Sequence, residues 1–327
     1  MKSSKKIVKK AKAIVLLSGG LDSILAARIL QEQGIEVIGI TFESPFFKSV
    51  KAQEAAKQLG IELKIVKLGK DYIKLVEKPK HGHGSAINPC IDCHAFMLKK
   101  AKSMMKKLRA DFIATGEVLN ERPMSQNLES LKIVEEDSGL KNVLLRPLSA
   151  KMLEETEEEK KGIVDRNKLL GIKGRARNTQ ISLAKKFHLT YPTPGGGCLL
   201  CEPDMEKKLK DLFSHRETDE SSLELLSVGR HFRSDGQIIA GRNKEENDKL
   251  EALGKDWIKL ECKDTMGPIT LVKDEKHLKK AAEITAFYGK TQGMEKVRVI
   301  FWKKSRKEAK ELSVKIPDRE SVEALRI

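Results

Sequence analysis

The sequence predicts an α/β fold: a doubly wound parallel sheet with a second, smaller α+β domain. Three observations point there. Apolar strand-like runs alternate with helix-like runs over residues 13–67. The pair Gly19-Gly20 turns the chain between the first such run and the next. Beyond residue 213 the runs become short and mostly strand-like. With 327 residues, the chain is long enough for two or three domains.

Each element has a local reason. Residues 13–17 are a continuous apolar run suited to a strand buried on both faces. Residues 21–33 set Leu21, Ile24, Leu25, Ile29 and Leu30 on one helical side, and Gly34 ends the pattern. Residues 36–42 read as a second strand, 50–59 as a helix closed by Gly60, and 62–67 as a third strand. Two β-α-β units in series place ligands beyond the C-terminal strand ends. That brings Ser18, Gly19, Gly20, Asp22 and Ser23 to the same rim as Thr41 and Phe42. Residues 78–89 hold two prolines, two glycines and the histidines His81 and His83, and read as a mobile loop over that rim.

Residues 91–109 predict a strong helix. Leu98, Ala101, Met105 and Leu108 form its apolar stripe, and Lys99, Lys102, Lys106 and Arg109 form a basic stripe one position later. Residues 111–115 read as a strand ending at Gly116, where a missing side chain lets a ligand approach the backbone. Residues 142–145 give a further short strand. Residues 154–185 read as helical and charged, broken near 171–174, with Glu154, Glu155, Glu157, Glu158 and Glu159 as an exposed first turn. A helix over 205–213 and a polar stretch over 214–222 mark the domain boundary. Strands at 223–228, 237–240, 257–260, 269–272 and 296–302, with helices at 245–253 and 275–288, make the second module. The organisation is a basic tail (1–12), a first domain (13–213) and a second (223–315).

The net charge of +16 points to a polyanion partner. It is unevenly spread: from Lys210 onward the chain carries a net +3, against +13 before it. No run of about 18 apolar residues exists, which argues against a membrane span. The basic start lacks a signal-peptide core, so a cytoplasmic setting is expected.

Of the five cysteines, Cys90 and Cys93 form one C-x-x-C pair, Cys198 and Cys201 form another, and Cys262 stands alone. In a cytosolic chain such pairs indicate metal or redox chemistry. Cys90 and Cys93 sit where a loop becomes a helix, a position that lowers a thiol pKa. Cys262 lies in a strand-like run and reads as a small buried apolar residue.

The block Ser18-Gly19-Gly20-Leu21-Asp22-Ser23, in its strand–turn–helix setting, resembles the PP-loop of the ATP pyrophosphatase family. That resemblance implies ATP cleavage between the α and β phosphates, adenylation of a substrate carbonyl oxygen, and Mg²⁺ with Asp22 as a candidate ligand. Helix capping by Asp22 or Ser23 is the competing reading of the same residues.

Asn88-Pro89-Cys90-x-x-Cys93, Ala114-Thr115-Gly116 and a later cysteine pair are similar in order to the tRNA 2-thiouridylase family and to 4-thiouridine synthetase-like thiolation enzymes. In that comparison Cys93 takes the nucleophile position and Cys198 its partner's, while His94 stands where the family usually has Asn. The implied partners are tRNA and a sulfur donor, either a protein persulfide or sulfide.

Three uses of the thiols stay open. One is a [4Fe–4S] cluster on Cys90, Cys93 and Cys198, with Cys201 as a fourth ligand or a bystander. The others are persulfide chemistry on Cys93 and Cys198, and a structural Zn²⁺ on both pairs.

Residues 228–233 and 239–248 resemble the NFACT-R RNA-binding domain, which implies RNA contact through Arg230, Arg233 and Arg242. Together these features predict an ATP-dependent tRNA uridine thiolase. The alternatives are a PP-loop amide or amine ligase with structural zinc, and a non-catalytic ATP-bound RNA-binding factor.

Overall fold

The alternating runs of the first half become β1 (Lys12–Leu16), α1 (Leu21–Glu32), β2 (Glu36–Glu43), α2 (Val50–Leu59), β3 (Glu62–Lys67) and α3 (Lys70–Glu77). They continue as α4 (Cys90–Leu108), β4 (Phe112–Ala114), α5 (Leu128–Ser138), β5 (Leu144–Leu145), α6 (Glu157–Lys160) and α7 (Asn178–Lys186). This computed structural model describes residues 10–193 and 198–327.

The five strands pair in parallel in the order β3-β2-β1-β4-β5. Strand order reverses beside β1, so the crevice past its C-terminal end is the topological switch point. Ala13 and Val15 join the core that α1, α2 and α7 supply with Leu25, Ala52 and Ala184. Ile14, also fully buried, alternates to the opposite face, where α4 packs on β1 and β4. Each such Val, Leu or Ile contributes roughly 1.5–3 kcal/mol by leaving water.

Three expectations for this half change. Residues 154–185 are not a broken long helix but α6, a 3₁₀ turn at Arg166–Lys168 and α7. A capping box between Thr156 and Glu159 starts α6, and Gly162 at φ +71° follows its end. Glu158 and Glu159 are buried rather than exposed, and Glu159 also pairs with Arg166 at 2.6 Å.

The segment 78–89 is tied down rather than free. Asp92 accepts from the backbone N–H groups of Lys80 and His81, both at 3.0 Å. His81 bonds Asp137 at 2.7 Å and His83 bonds the Val76 carbonyl at 2.8 Å, so both rings have structural partners.

The chain divides into two compact units between Cys201 and Glu202. The second begins with α8 (Pro203–Ser214) and α9 (Glu220–Leu225), then β6 (Arg230–Arg233), β7 (Gln237–Ala240) and α10 (Lys244–Leu253). It continues through β8 (Ile258–Cys262), β9 (Thr270–Val272), α11 (Leu278–Phe287), β10 (Lys296–Trp302), β11 (Lys310–Lys315) and α12 (Arg319–Glu323). Its six-stranded antiparallel sheet runs β11-β10-β8-β9-β7-β6.

The boundary expected at 214–222 therefore falls inside this unit. Arg233 binds both Asp211 and Glu217, which fastens the polar stretch to β6. The strand expected at 223–228 is helical at its start, because Asp219 caps the Ser222 N–H and opens α9. Cys262 is buried in β8, as its apolar setting implied. Among the described residues no helix is long and apolar enough to cross a membrane.

His231, in β6, is 1% exposed. Its Nε2 donates to the Val228 carbonyl at 2.9 Å, while buried Nδ1 has no partner. Burial, with Lys208 nearby, lowers its pKa from 6.5 to about 3. The folded ring stays neutral while the unfolded one titrates. Stability is thus full above pH 6.5 and is lost as pH falls toward 3. One proton gives a slope of about 1 kcal/mol per pH unit. Thermal melts from pH 7 to 4 are expected to show it, and His231→Gln to remove that one-proton part.

Candidate active site

The loop after β1 keeps its backbone open. Gly20 occupies the N-cap of α1, and no side chain caps the helix. Asp22 and Ser23 lie inside α1, so the capping reading fails. The Ser23 hydroxyl instead donates to the Gly20 carbonyl at 2.9 Å, and the Ser18 hydroxyl donates to Ser23 Oγ at 3.2 Å. An uncapped helix start with glycines before it suits a phosphate.

Two glycines are fixed by packing. Gly19 sits at φ +81°, and a Cβ there would come within 2.3 Å of the Lys51 carbonyl carbon at the start of α2. A Cβ on Gly116 would meet the Ser23 nitrogen at 2.5 Å. The space that Gly116 leaves is therefore taken by α1, not by a ligand.

Ser18, Gly20, Asp22, Ser23 and Gly116 line a cavity of about 650 Å³ together with Thr41, Phe42, Lys51, His94 and all four paired cysteines. Asp22 Oδ1 is buried and has no hydrogen-bond partner. Burial raises the Asp22 carboxyl to about 6, with Glu121 adding to the rise and Arg177 opposing it. Arg177 bonds Glu121 at 2.6 Å. Gln180, fully buried on α7, also acts on Asp22 and draws its carboxyl down. An orphaned carboxylate oxygen among such groups fits a cation such as Mg²⁺. Sequence reading missed Glu121, Arg177 and Gln180, because no short motif links them to Asp22.

The thiols share one wall. Cys93 Sγ lies 3.3 Å from the hydroxyl of fully buried Tyr72, which packs against Phe46, Phe47 and Phe96. The Asn88 amide donates to Cys90 Sγ at 3.2 Å, and the Leu200 N–H donates to Cys198 Sγ at 3.3 Å. All are free thiols.

The lowered pKa expected at a helix start is not found for Cys93. Burial pushes its thiol up to about 12, against the pull of the Tyr72 hydroxyl and with Cys198 adding to the rise. Burial does the same for Cys198, also to about 12. Four sulfur ligands in one cavity suit an iron–sulfur cluster or zinc chemically. As placed, no three His, Cys, Asp or Glu side chains among the described residues form a ready metal cage.

Behind the thiols lies a buried ionic network. Glu117 accepts from Thr115 at 2.9 Å and from Arg146 Nε at 3.0 Å, and Arg146 also pairs with Glu135. Arg146 is 2% exposed. Removing it strips the guanidinium from two carboxylates, buried Glu117 and part-buried Glu135, so Arg146→Met is expected to cost about 3–5 kcal/mol in chemical denaturation.

The chain is similar to two known families. Residues 11–157 match the family described as tRNA methyl transferase HUP domain. Residues 229–326, in the second unit, match the family described as NFACT protein RNA binding domain.

Curated relatives of the first unit include a tRNA-specific 2-thiouridylase MnmA from Karelsulcia muelleri. It is 34% identical over 132 residues, spanning 37% of this chain and 34% of that one. A probable tRNA sulfurtransferase from Ureaplasma parvum is 35% identical over 147 residues, 42% of this chain and 37% of its own. The chain thus spans about a third of the length of these relatives. A solved 4-thiouridine synthetase–RNA complex with bound ATP aligns at TM-score 0.35 and 21% identity, covering 65% of this chain and 53% of that one.

Outside the cavity of the first unit, α4 buries Leu98 and Ala101 and exposes Lys99, Lys102, Lys106 and Arg109, as the striping implied. Lys102 also donates to the Gly139 carbonyl. In the NFACT-type region, Arg230 stacks on Tyr288 at 4.5 Å and donates to the Gly241 carbonyl at 3.1 Å. Arg242 pairs with Glu246 yet stays half exposed. Arg233 is the correction: its side chain is 11% exposed and bound to two carboxylates, so it braces the fold and is not free for phosphate.

Proposed function

We propose that this protein is an ATP-dependent tRNA uridine thiolase. The observation that carries this reading is the sharing of one cavity by Ser18, Gly20, Asp22 and Ser23 of the phosphate loop and the four paired thiols. The α1 N-terminus receives the phosphates, and Asp22 would hold a Mg²⁺ ion, which supplies charge stabilisation for pyrophosphate. The uracil carbonyl oxygen attacks the α-phosphorus of ATP, and pyrophosphate leaves. A sulfur nucleophile then adds to the activated carbon, and AMP departs with the original oxygen. Thr41 and Phe42 line the same cavity and would border the nucleotide, whereas Cys93 and Cys198 would present the sulfur.

Cys90, Cys93 and Cys198 would hold a [4Fe–4S] cluster, with Cys201 nearby. When bound, that group supplies an open iron able to carry sulfide. The raised Cys93 and Cys198 pKa values mean that ligation must release protons at neutral pH. RNA phosphates are received by Lys99, Lys102, Lys106 and Arg109 on α4, and by Arg230 and Arg242 in the NFACT-type region. A cytoplasmic setting follows from tRNA as substrate.

The test supplies ATP, Mg²⁺, sulfide and unmodified tRNA. AMP, pyrophosphate and thiouridine are expected, each dependent on tRNA. Release of ADP and phosphate, or ATP cleavage indifferent to RNA, would sink the reading. Anaerobic purification addresses the thiols separately: brown, iron-rich protein supports the cluster. A colourless protein with one zinc removes it, and iron-free protein that thiolates only when a protein persulfide replaces sulfide as donor assigns sulfur transfer to persulfide on Cys93 and Cys198.

A further inference from the structure

The segment between β4 and α5 holds two side chains that the scheme above leaves unused, Arg122 and Gln126, and both line the cavity. Gln126 is 7% exposed, and its amide oxygen is buried without a hydrogen-bond partner. Both of its backbone groups are engaged: the N–H donates to the Arg122 carbonyl at 2.8 Å, and the carbonyl accepts from the Asn120 N–H at 2.7 Å. The Asn127 amide donates to the Pro123 carbonyl at 2.7 Å, and the Ser130 hydroxyl donates to the Met124 carbonyl at 3.0 Å. The turn is thus fixed by its own backbone, while a buried polar atom at the cavity wall is left without a partner. Native interiors satisfy such atoms, and a ligand donor in the cavity would satisfy this one.

Arg122 is exposed, and its guanidinium has no hydrogen-bond or ion-pair partner among the described residues. Its charge acts on Cys198 and Cys201, which puts it within electrostatic reach of those two thiols.

We propose that the Arg122–Gln126 turn holds the substrate nucleotide, with the Gln126 amide on the uracil edge and the Arg122 guanidinium on a neighbouring RNA phosphate. The inference rests on the thiolation reading given above. An amide carries one acceptor and two donor hydrogens at every pH. Uracil presents N3–H between two carbonyls. The amide oxygen accepts from N3–H, the amide NH₂ donates to one carbonyl, and the other carbonyl is left for adenylation. A guanidinium is always charged and presents a fork of donors that matches phosphate. The adenine of ATP offers a comparable edge of donor beside acceptor, so the test separates the two bases.

Thiouridine formation is measured with the whole chain, ATP, Mg²⁺, sulfide and unmodified tRNA. Binding of tRNA is followed against salt, and a non-hydrolysable ATP analogue is titrated without RNA. In Gln126→Leu, kcat/KM for tRNA is expected to fall about tenfold or more, because N3–H then lacks its acceptor, with affinity for the analogue unchanged. Arg122→Ala is expected to weaken tRNA binding and to lower its logarithmic salt slope by about one. Should Gln126→Leu fail to fold, the salt slope of the exposed Arg122→Ala variant decides alone. A weaker analogue affinity in folded Gln126→Leu assigns the amide to adenine and overturns the proposal. An unchanged kcat/KM in that variant, or an unchanged salt slope in Arg122→Ala, overturns it while leaving thiolation intact. A wild-type chain that makes no thiouridine overturns the thiolation reading, and this assignment with it.

Discussion

Gly19→Ala is expected to abolish ATP binding and to lower the melting temperature of the protein. Two costs coincide at this position. The backbone is at φ +81°, where an L side chain costs roughly 1–2 kcal/mol. The new methyl would also lie 2.3–2.6 Å from backbone atoms of Lys51 and Ala52, which cannot swing aside as a side-chain tip can. Either α2 retreats or the loop leaves the α1 N-terminus, and in both cases the phosphate cradle is lost. Gly34→Ala is the control, because it has a matching φ of +80° but nothing within 4 Å of the new atom. It should cost only the roughly 1–2 kcal/mol of backbone strain and leave nucleotide binding intact. Titration of both variants with a non-hydrolysable ATP analogue checks the contrast. Equal affinities would remove the claim that packing against α2 shapes the loop.

Cys93→Ser is expected to cut thiouridine formation by about 10³-fold or more while pyrophosphate release continues. In the proposed scheme Asp22 and the loop handle the nucleotide, and the thiols handle sulfur. Serine is close in size and keeps a hydroxyl for the Tyr72 contact, so the local packing is preserved. Cys262→Ala should be silent for thiolation, since that thiol is buried in β8 of the second unit. Persistent thiolation by the serine variant would take Cys93 out of the chemistry. Simultaneous loss of pyrophosphate release would instead mark a damaged fold.

The His94–Glu117 pair shows where motif reading stops. Asn88-Pro89-Cys90-x-x-Cys93 drew attention to the thiols, and the next residue stood out only as a departure from a family pattern. Its partner is Glu117 on the segment after β4, itself held by Arg146 just past β5, and the parallel pairing of β4 with β5 brings these together. Likewise Asp22 was visible in the loop, but its unpartnered oxygen and raised carboxyl depend on Glu121, Arg177 and buried Gln180. Arg233 erred in the opposite sense: its spacing resembled an RNA contact, but Asp211 and Glu217 claim it.

By itself the sequence determined the parallel sheet, the phosphate loop, the stripes of α4 and the pairing of cysteines in C-x-x-C units. Those features are encoded over a few residues by periodicity, glycine geometry and helix capping. Only the tertiary structure decided which distant groups meet, where burial overrides a helix terminus at Cys93, and where the first unit ends. These depend on desolvation and on partners brought from far along the chain, to which a local pattern is blind.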